Sequence, residues 1–483
     1  MASGCPGDNA LAPAAQRPAV GLLGLYLELY DRVLPGARAR IDAFYAAIAS
    51  ALEERGLRVV RAPVCRVEDE FREAVRRFES ERADAVVTLH LAYSPSLESA
   101  DVLAATRLPV IVLDTTPALE YGPQQDPEEL MYNHGIHGVQ DLCNILLRRG
   151  KGFLIEAGHW QASDVLDRVA ARACGAAMAA RMRAVRVGTV GGAFRGMGDF
   201  QVPEDILSGS AGITVVRADF AHLRALLPSD DDPAVIAEME ADRRRFDTEG
   251  LDEAVHRSSV RASLAVRRWM EEESLGAFTM NFAGIDRSTG LPAVPFLEAS
   301  KAMARAMARG VGYAGEGDVL TAAFVHALAG VHPRTTFTEM FCPDWKGGTV
   351  FLSHMAEMNP DLASGKARLV AREMAWIDAG TPAVTIGRFQ SGGAVFVNLA
   401  PGRDGTFTLI AVPVEVTGED GEDRMRDAIR GWIRPEVPLE HLLERYSRLG
   451  GTHHAALVYG DVVNDVASFG SFMGWRVEVI GRP

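Results

Sequence analysis

The sequence lacks several features that define common classes of protein. Its five cysteines are scattered and none forms a Cys-x-x-Cys pair, which favours a reducing compartment over a disulfide framework. No apolar run approaches the roughly 20 residues of a membrane span, and residues 1–17 lack the charged and apolar regions of a secretory signal. We therefore expect a cytoplasmic protein with no membrane partner, preceded by a flexible tail over residues 1–17.

Positive charge is also in the minority. The chain has 50 Lys and Arg against 64 Asp and Glu, and its formal net charge is -14. A surface that follows a nucleic-acid backbone needs clustered positive charge, so this balance argues against a nucleic-acid partner. No P-loop or other phosphate-binding fingerprint is present, which favours an unphosphorylated small-molecule ligand.

The length of 483 residues exceeds what one core usually organises. Over residues 18–158, short apolar runs alternate with amphipathic helical patterns, as in parallel sheets with crossover helices. A second segment of this kind spans residues 159–327. After residue 328, short β-branched runs separated by Gly, Pro and Asp indicate antiparallel strands over residues 328–483. The expected fold class is α/β: two Rossmann-like doubly wound α/β domains followed by an antiparallel β-rich C-terminal domain.

Three turn-rich segments contain residue types that bind metals. They are Gly315-Glu316-Gly-Asp318, then Glu339 together with Ser353-His354-Met355, and finally Gly450-Gly-Thr-His453-His454. Imidazole and carboxylate ligands suit Mn, Co, Fe or Zn better than Ca or Mg. Structural interpretations remain open at this point: Glu316 as a first-turn helix carboxylate, and Glu339 with His354 as a buried pair.

The same segments resemble the L-arabinose isomerase family, with L-fucose isomerase as a more distant relative. Family members carry a Gly-Phe-Ala-Gly-Glu-Gly-Asp stretch before Thr-Ala-Ala, and here residues 312–318 read Gly-Tyr-Ala-Gly-Glu-Gly-Asp before Thr321-Ala-Ala. Three other family motifs are Phe-Thr-x-Asn-Phe, Ser-His-Met-x-Glu and Gly-Gly-Thr-His-His, which match residues 278–282, 353–357 and 450–454. The resemblance is specific over residues 278–454 and thinner in the N-terminal half.

The resemblance implies a Mn²⁺ site, with Co²⁺ or Fe²⁺ as alternatives, whose ligands are Glu316, Glu339, His354 and His454. It also implies an aldose–ketose isomerase, an intramolecular oxidoreductase acting on a free sugar. In such enzymes the metal binds the carbonyl and a neighbouring hydroxyl oxygen as a Lewis acid. The catalytic glutamates Glu316 and Glu339 then move a proton between C1 and C2 through an enediol, and the sequence does not assign which is base and which is acid.

Further residues are implied to contact the sugar, and in the family the N-terminal region reaches a neighbouring subunit's active site. A homo-oligomer, trimer or hexamer, with a shared active site is therefore implied. Local roles remain open for the N-terminal histidines, which also suit helix caps or packing, and for the methionine, which also suits packing. The implied substrate-binding residues are His90, His134, His137, Met197, Phe278 and His453.

Two departures from the family pattern concern the sugar. Leu27 and His134 stand where arabinose isomerases have glutamines that touch the substrate. A site built for one pattern of hydroxyls discriminates against another, so L-arabinose itself is disfavoured among pentoses, hexoses and deoxysugars. Two alternatives remain: a sugar 2-epimerase that uses the same enediol, and a non-catalytic sugar-binding or regulatory protein with a retained metal site.

Overall fold

The computed structural model describes residues 17–309, 311–418 and 423–481. The predicted tail, apart from its last residue, lies outside these ranges. Among the described helices, none is long and apolar enough to cross a membrane. The chain divides into two compact units, residues 17–177 and 178–481, and the domain boundaries predicted near residues 158 and 327 stay predictions.

The N-terminal unit is built on a five-stranded parallel sheet with the order β2-β1-β3-β4-β5. Its strands are β1 Ala19–Leu25, β2 Arg58–Arg61, β3 Ala85–His90, β4 Val110–Asp114 and β5 Phe153–Ala157. Its helices are α1 Glu28–Val33, α2 Arg38–Glu54, α3 Glu68–Ser80, α4 Ala100–Ala105, α5 Leu130–Asn133 and α6 Ile136–Arg148; α7, Val165–Arg183, spans the division between the units.

The central strands of this sheet are covered on both faces. Every residue of β1 and of β3 is buried, as expected for parallel strands between helical layers. A Cβ atom at Gly21 would lie 2.2 Å from the ring of Phe78, so glycine allows α3 to pack directly on β1. The predicted doubly wound arrangement is confirmed, and His90 ends β3 at its carboxyl edge.

The C-terminal unit begins with a four-stranded parallel sheet of order β7-β6-β8-β9. Its strands are β6 Arg186–Val190, β7 Thr214–Arg217, β8 Ala277–Met280 and β9 Gly312–Gly315. The strand β9 lies inside a glycine-rich stretch, residues 310–317, which has no strand-like side-chain pattern. Its helices are α8 Glu204–Ala211, α9 Phe220–Ala225, α10 Pro233–Arg245, α11 Glu253–Glu272, α12 Phe296–Arg309 and α13 Val319–Ala329.

An antiparallel barrel completes this unit. Its strands follow the order β14-β17-β10-β11-β16-β15, β14 also pairs with β15 to close the ring, and β18 adds to β15 in parallel. They are β10 Thr335–Asp344, β11 Thr349–Ser353, β14 Gly392–Pro401, β15 Phe407–Val416, β16 Gly431–Pro435, β17 His454–Tyr459 and β18 Arg476–Val479. A two-stranded sheet, β12 Arg368–Ala371 with β13 Ala383–Ile386, and helices α14 Leu439–Arg448 and α15 Val463–Met473 accompany it. The predicted β-rich C-terminal fold is confirmed.

Strand register at one end of the barrel places the candidate site. Glu339 on β10 pairs with His454 on β17 and with Ser353 on β11, so His354 follows directly. A shared hydrophobic core contains Phe278 of β8, Tyr313 of β9 and Phe337 of β10. The carboxyl edge of the parallel sheet thereby meets the barrel, and Glu316, which follows β9, lies at that junction.

Candidate metal centre

Glu316 is held in an uncommon backbone conformation. Its φ is 62°, and Gly317 after it has a φ of 88°, a region that favours glycine. A Cβ atom on Gly317 would lie 2.3 Å from the carbonyl oxygen of Gly192, and the amide of Phe194 donates to the carbonyl of Glu316 at 2.8 Å. The turn is thus fixed against the loop that follows β6, and such strain is often found at functional sites.

The predicted metal ligands converge around His454. Its Nε2 lies 3.1 Å from Glu339 Oε1 and 3.3 Å from Glu316 Oε2. His354 Nε2 lies 3.4 Å from Glu339 Oε1, and His453 Nε2 lies 3.7 Å from Glu316 Oε2. The ligand atoms of Glu316, Glu339, His453 and His454 all lie within 4.8 Å of one another. His453, predicted to contact sugar, therefore lies among the candidate ligands, and His354 adjoins this group through Glu339.

Each of the three histidines has a carboxylate oxygen within hydrogen-bond distance of Nδ1, the ring nitrogen other than Nε2. A carboxylate on Nδ1 keeps the proton there and leaves the Nε2 lone pair for a metal. None of these three acidic residues was predicted to belong to the site, although two of them stand within the matched motifs and the third follows Met197 by two residues. The Nδ1–oxygen pairs are His354–Glu357 at 2.7 Å, His454–Asp318 at 2.9 Å and His453–Asp199 at 2.7 Å.

The donor atoms suit a divalent cation. Glu316 Oε2 and His454 Nε2 are both buried and have no hydrogen-bond partner. Buried polar atoms without a partner are rare and point to an ion or water. Two carboxylates with imidazoles form the oxygen and nitrogen set that suits Mn²⁺-type metals, so the residues present fit the group that the sequence implied.

Electrostatics keep the two glutamates ionised. Burial raises the pKa of Glu316, but His453 and His454 outweigh it and lower that pKa to about 2. Glu339 likewise has a pKa below its usual range, because His354 and His454 outweigh the effect of burial. Burial lowers the pKa of His354, yet Glu357 and Glu339 raise it to about 10. A metal would compete with protons for the imidazoles of this site.

Aromatic rings pack around the histidines. Phe200 stacks on His454 with ring centroids 4.9 Å apart and planes inclined by 15°. Phe337 presents its edge to His354 at 4.8 Å and to His454 at 5.0 Å. Such contacts lock ring orientations and lower the local dielectric, so the imidazoles are held in place in the folded chain.

The remaining predicted sugar contacts of the C-terminal unit lie in different surroundings. Met197 is half-buried in the loop after β6, where its carbonyl accepts a hydrogen bond from the side chain of Gln201. Phe278 is fully buried in the core against Tyr313, with ring centroids 5.1 Å apart. The structure therefore places Phe278 among packing residues, and both substrate-contact roles stay predictions.

The predicted histidines of the N-terminal unit form a group of their own. His90 is 3% exposed and neither ring nitrogen has a hydrogen-bond partner. A Cβ atom on Gly138 would lie 2.3 Å from the His90 ring, so α6 packs closely on it. His134 Nε2 is 3.1 Å from the Tyr30 hydroxyl, and its ring lies 6.0 Å from that of His137. Their roles toward a sugar stay predictions.

Comparisons with known proteins place the chain in a family. The L-arabinose isomerase central domain matches residues 237–332, and the L-arabinose isomerase C-terminal domain matches residues 334–476. The L-arabinose isomerase of Bacillus subtilis is 24% identical over 441 residues, 88% of this chain and 86% of the relative. That of Herpetosiphon aurantiacus is 24% identical over 453 residues, 90% and 89%, and that of Levilactobacillus brevis is 25% identical over 365 residues, 72% and 74%.

One solved structure is a weaker match. The arabinose-binding periplasmic component of a transporter from Shewanella sp. ANA-3 is 14% identical, covers 65% of this chain and 84% of its own, and has a TM-score of 0.15. That likeness carries no argument. Two family domains matched in order and relatives aligned along most of the chain lead to one conclusion: the chain is a divergent member of the L-arabinose isomerase family, and it is an isomerase.

Proposed function

We propose that this chain is a metal-dependent aldose–ketose isomerase for a free sugar, with Glu316 and Glu339 as its acid and base. One observation carries the proposal: the carboxylates of Glu316 and Glu339 converge on His454 Nε2, and two buried atoms there, Glu316 Oε2 and His454 Nε2, have no hydrogen-bond partner. The relatives, which are L-arabinose isomerases, supply the substrate class. The departures at Leu27 and His134 favour a sugar other than L-arabinose.

The ligands would be Glu316, Glu339, His354 and His454, with His453 close enough to join them. A bound Mn²⁺, or alternatively Co²⁺ or Fe²⁺, would polarise the substrate's carbonyl and a neighbouring hydroxyl as a Lewis acid. Glu357, Asp318 and Asp199 hold the imidazoles with Nε2 toward the cluster. The chain's own groups therefore set the orientation before any ligand arrives.

The glutamates carry the proton. One glutamate removes the proton from C2 of the aldose and returns it to C1, while the other carries the proton from O2 to O1 through the enediol, so that each acts in turn as base and acid. Burial raises the pKa of both carboxyls and the histidines lower it. A bound divalent cation would lower the pKa of these carboxyls as well, so burial is the effect that would bring a carboxylate closer to the pKa of a useful base.

Isosteric replacement of each glutamate tests this assignment. Glu316→Gln and Glu339→Gln keep the side-chain shape but cannot accept the C2 proton, so turnover should fall by at least about 100-fold. Glu415→Gln, an exposed position on β15, is the matched control and should turn over normally. Circular dichroism checks that the fold is retained, and normal turnover in either site variant would refute the acid–base role.

Incubation of the protein with free aldoses in heavy water separates the alternatives. A 2-epimerase would exchange deuterium at C2 and release a second aldose without ketose. A non-catalytic sugar-binding protein would bind sugar without any solvent exchange. The homo-oligomer with a shared active site, the cytoplasmic location and the choice of Mn²⁺ rest on the resemblance and on the cysteine pattern, and they are part of this proposal.

A further inference from the structure

Tyr313 is a tyrosine in the middle of a hydrophobic core. It lies on β9, its side chain is fully buried, and its ring packs between Phe278 at 5.1 Å and Phe337 at 6.0 Å. Packing of this kind needs only the ring. A buried phenolic hydroxyl needs a partner, and here the hydroxyl donates to Glu357 Oε1 at 2.5 Å. The polar atom of Tyr313 is thus directed at a single carboxylate.

Glu357 connects that hydroxyl to the candidate metal centre. Its side chain is 1% exposed. Oε1 accepts from Tyr313, whereas Oε2 accepts from the amide of Ala356 at 3.0 Å and lies 2.7 Å from His354 Nδ1. His354 Nε2 in turn lies 3.4 Å from Glu339 Oε1. A continuous buried path therefore runs from a core tyrosine through a carboxylate and an imidazole to a candidate ligand.

We propose that Tyr313 is a positioning residue for the metal centre, acting through Glu357 on His354. The hydroxyl fixes the rotation of the carboxylate, so that Oε2 holds the proton of His354 on Nδ1 and Nε2 stays free for the metal. Without the hydroxyl, Oε1 would be buried without that donor, and the carboxylate would rotate away from its present orientation. That rotation releases His354 from its ligand tautomer.

This inference rests on the proposed function, because it takes His354 as a metal ligand. A purely structural tyrosine predicts something different: loss of the hydroxyl would lower thermal stability and leave metal affinity unchanged. Metal affinity of the full-length protein, measured apart from activity, therefore distinguishes the two roles. Co²⁺ suits the measurement because its visible absorption reports the ligand geometry directly.

The experiment titrates metal-free full-length protein with Co²⁺, by absorption, and with Mn²⁺, by calorimetry. Tyr313→Phe and Glu357→Gln should each raise the metal dissociation constant by about tenfold or more. Each should also change the Co²⁺ absorption spectrum. The double variant should bind no more weakly than Glu357→Gln alone, because the tyrosine acts only through the carboxylate. Tyr45→Phe is the matched control: the buried hydroxyl of Tyr45 lies 2.8 Å from the carbonyl oxygen of Leu22 and 2.9 Å from that of Ala62.

Tyr45→Phe should keep the wild-type affinity. A wild-type dissociation constant and spectrum in Tyr313→Phe, or fully additive losses in the double variant, would overturn the positioning role alone. Should Tyr313→Phe fail to fold, Glu357→Gln carries the test, and wild-type affinity in that variant overturns the role. If the unaltered protein binds neither Co²⁺ nor Mn²⁺, the proposed metal site itself is wrong and the inference is overturned with it.

Discussion

Asp318 joins a helix start to the candidate metal centre through its two carboxylate oxygens. Oδ1 caps α13 by accepting a hydrogen bond from the amide of Thr321 at 2.8 Å, and Oδ2 lies 2.9 Å from His454 Nδ1. Asp318 is fully buried. Asp318 therefore caps the start of α13 and also orients the imidazole of His454, which both glutamates approach.

This arrangement predicts that Asp318→Asn weakens metal binding without unfolding the chain. Asparagine still caps the helix, but its amide group donates toward His454 Nδ1, which opposes the ligand tautomer. Loss of such an outer partner typically weakens affinity about 10-fold to 100-fold. The measurement is a Mn²⁺ titration of the metal-free protein.

Asp252→Asn provides the control for this change. Asp252 caps α11 by accepting from the amides of Ala254 and Val255 and lies on an element that carries no candidate ligand. Its replacement should leave the Mn²⁺ dissociation constant unchanged. If the two variants bind Mn²⁺ with equal affinity, Asp318 does not orient His454 for metal binding.

Metal binding should stabilise the C-terminal unit. A ligand that binds only the folded state at about 100 times its dissociation constant stabilises by about 2.7 kcal/mol, so Mn²⁺ should raise Tm and a chelator should reverse the shift. His454→Gln removes the imidazole that both glutamates approach and should abolish the shift. His441→Gln, at an exposed position on α14, should retain it, and an unchanged shift in His454→Gln would contradict the ligand assignment.

The buried His90 predicts a pH dependence of the N-terminal unit. Burial lowers its pKa from 6.5 to about 3, against a small opposing effect of Asp141. Between about pH 6.5 and pH 3 the unfolded chain therefore binds a proton that the folded chain does not. The free energy of unfolding falls as pH falls through this range. The expected slope from this group is about 1.4 kcal/mol per pH unit.

His90→Gln should remove that contribution. The slope is measured by urea titrations at pH 7 and pH 5. Unfolding in each titration is monitored by hydrogen exchange of peptides from β1 and β3, which are labelled at the same pH in both series. His137→Gln, at an exposed position in the same unit, is the control and should behave as the unaltered chain. A slope that is unchanged in His90→Gln would show that the ring is not kept neutral by burial.

Much of the fold follows from local patterns. The parallel α/β organisation expected over residues 18–158 and the antiparallel strands expected over residues 328–483 match the structure, because the apolar spacing and the flanking turn residues of these segments are unambiguous. The strand β17, in contrast, is buried at every position, and a continuous apolar run does not distinguish a strand from a buried helix. The strand β9 could not be predicted from the sequence, because Gly312 and Gly315 contribute no side chains to an alternating apolar and polar pattern.

The candidate site was predictable only in part. Glu316, Glu339, His354 and His454 stand in recognisable motifs, and the register of β10 with β11 and β17 brings three of them together. The roles of Glu357, Asp318 and Asp199 could not be predicted from the sequence, because they depend on which ring nitrogen of a histidine each carboxylate approaches in the fold. Asp199 is the clearest case, since it comes from a loop far along the chain from His453.

We propose that Glu316 and Glu339 move a proton between neighbouring carbons of a free sugar at a metal centre. The most direct measurement is incubation of the purified, Mn²⁺-supplemented protein with a panel of free aldoses in heavy water, following ketose formation and deuterium at C1 and C2. We predict ketose carrying solvent deuterium, formed from a sugar other than L-arabinose. Bound metal with no exchange on any sugar of the panel would refute the isomerase role of the two glutamates.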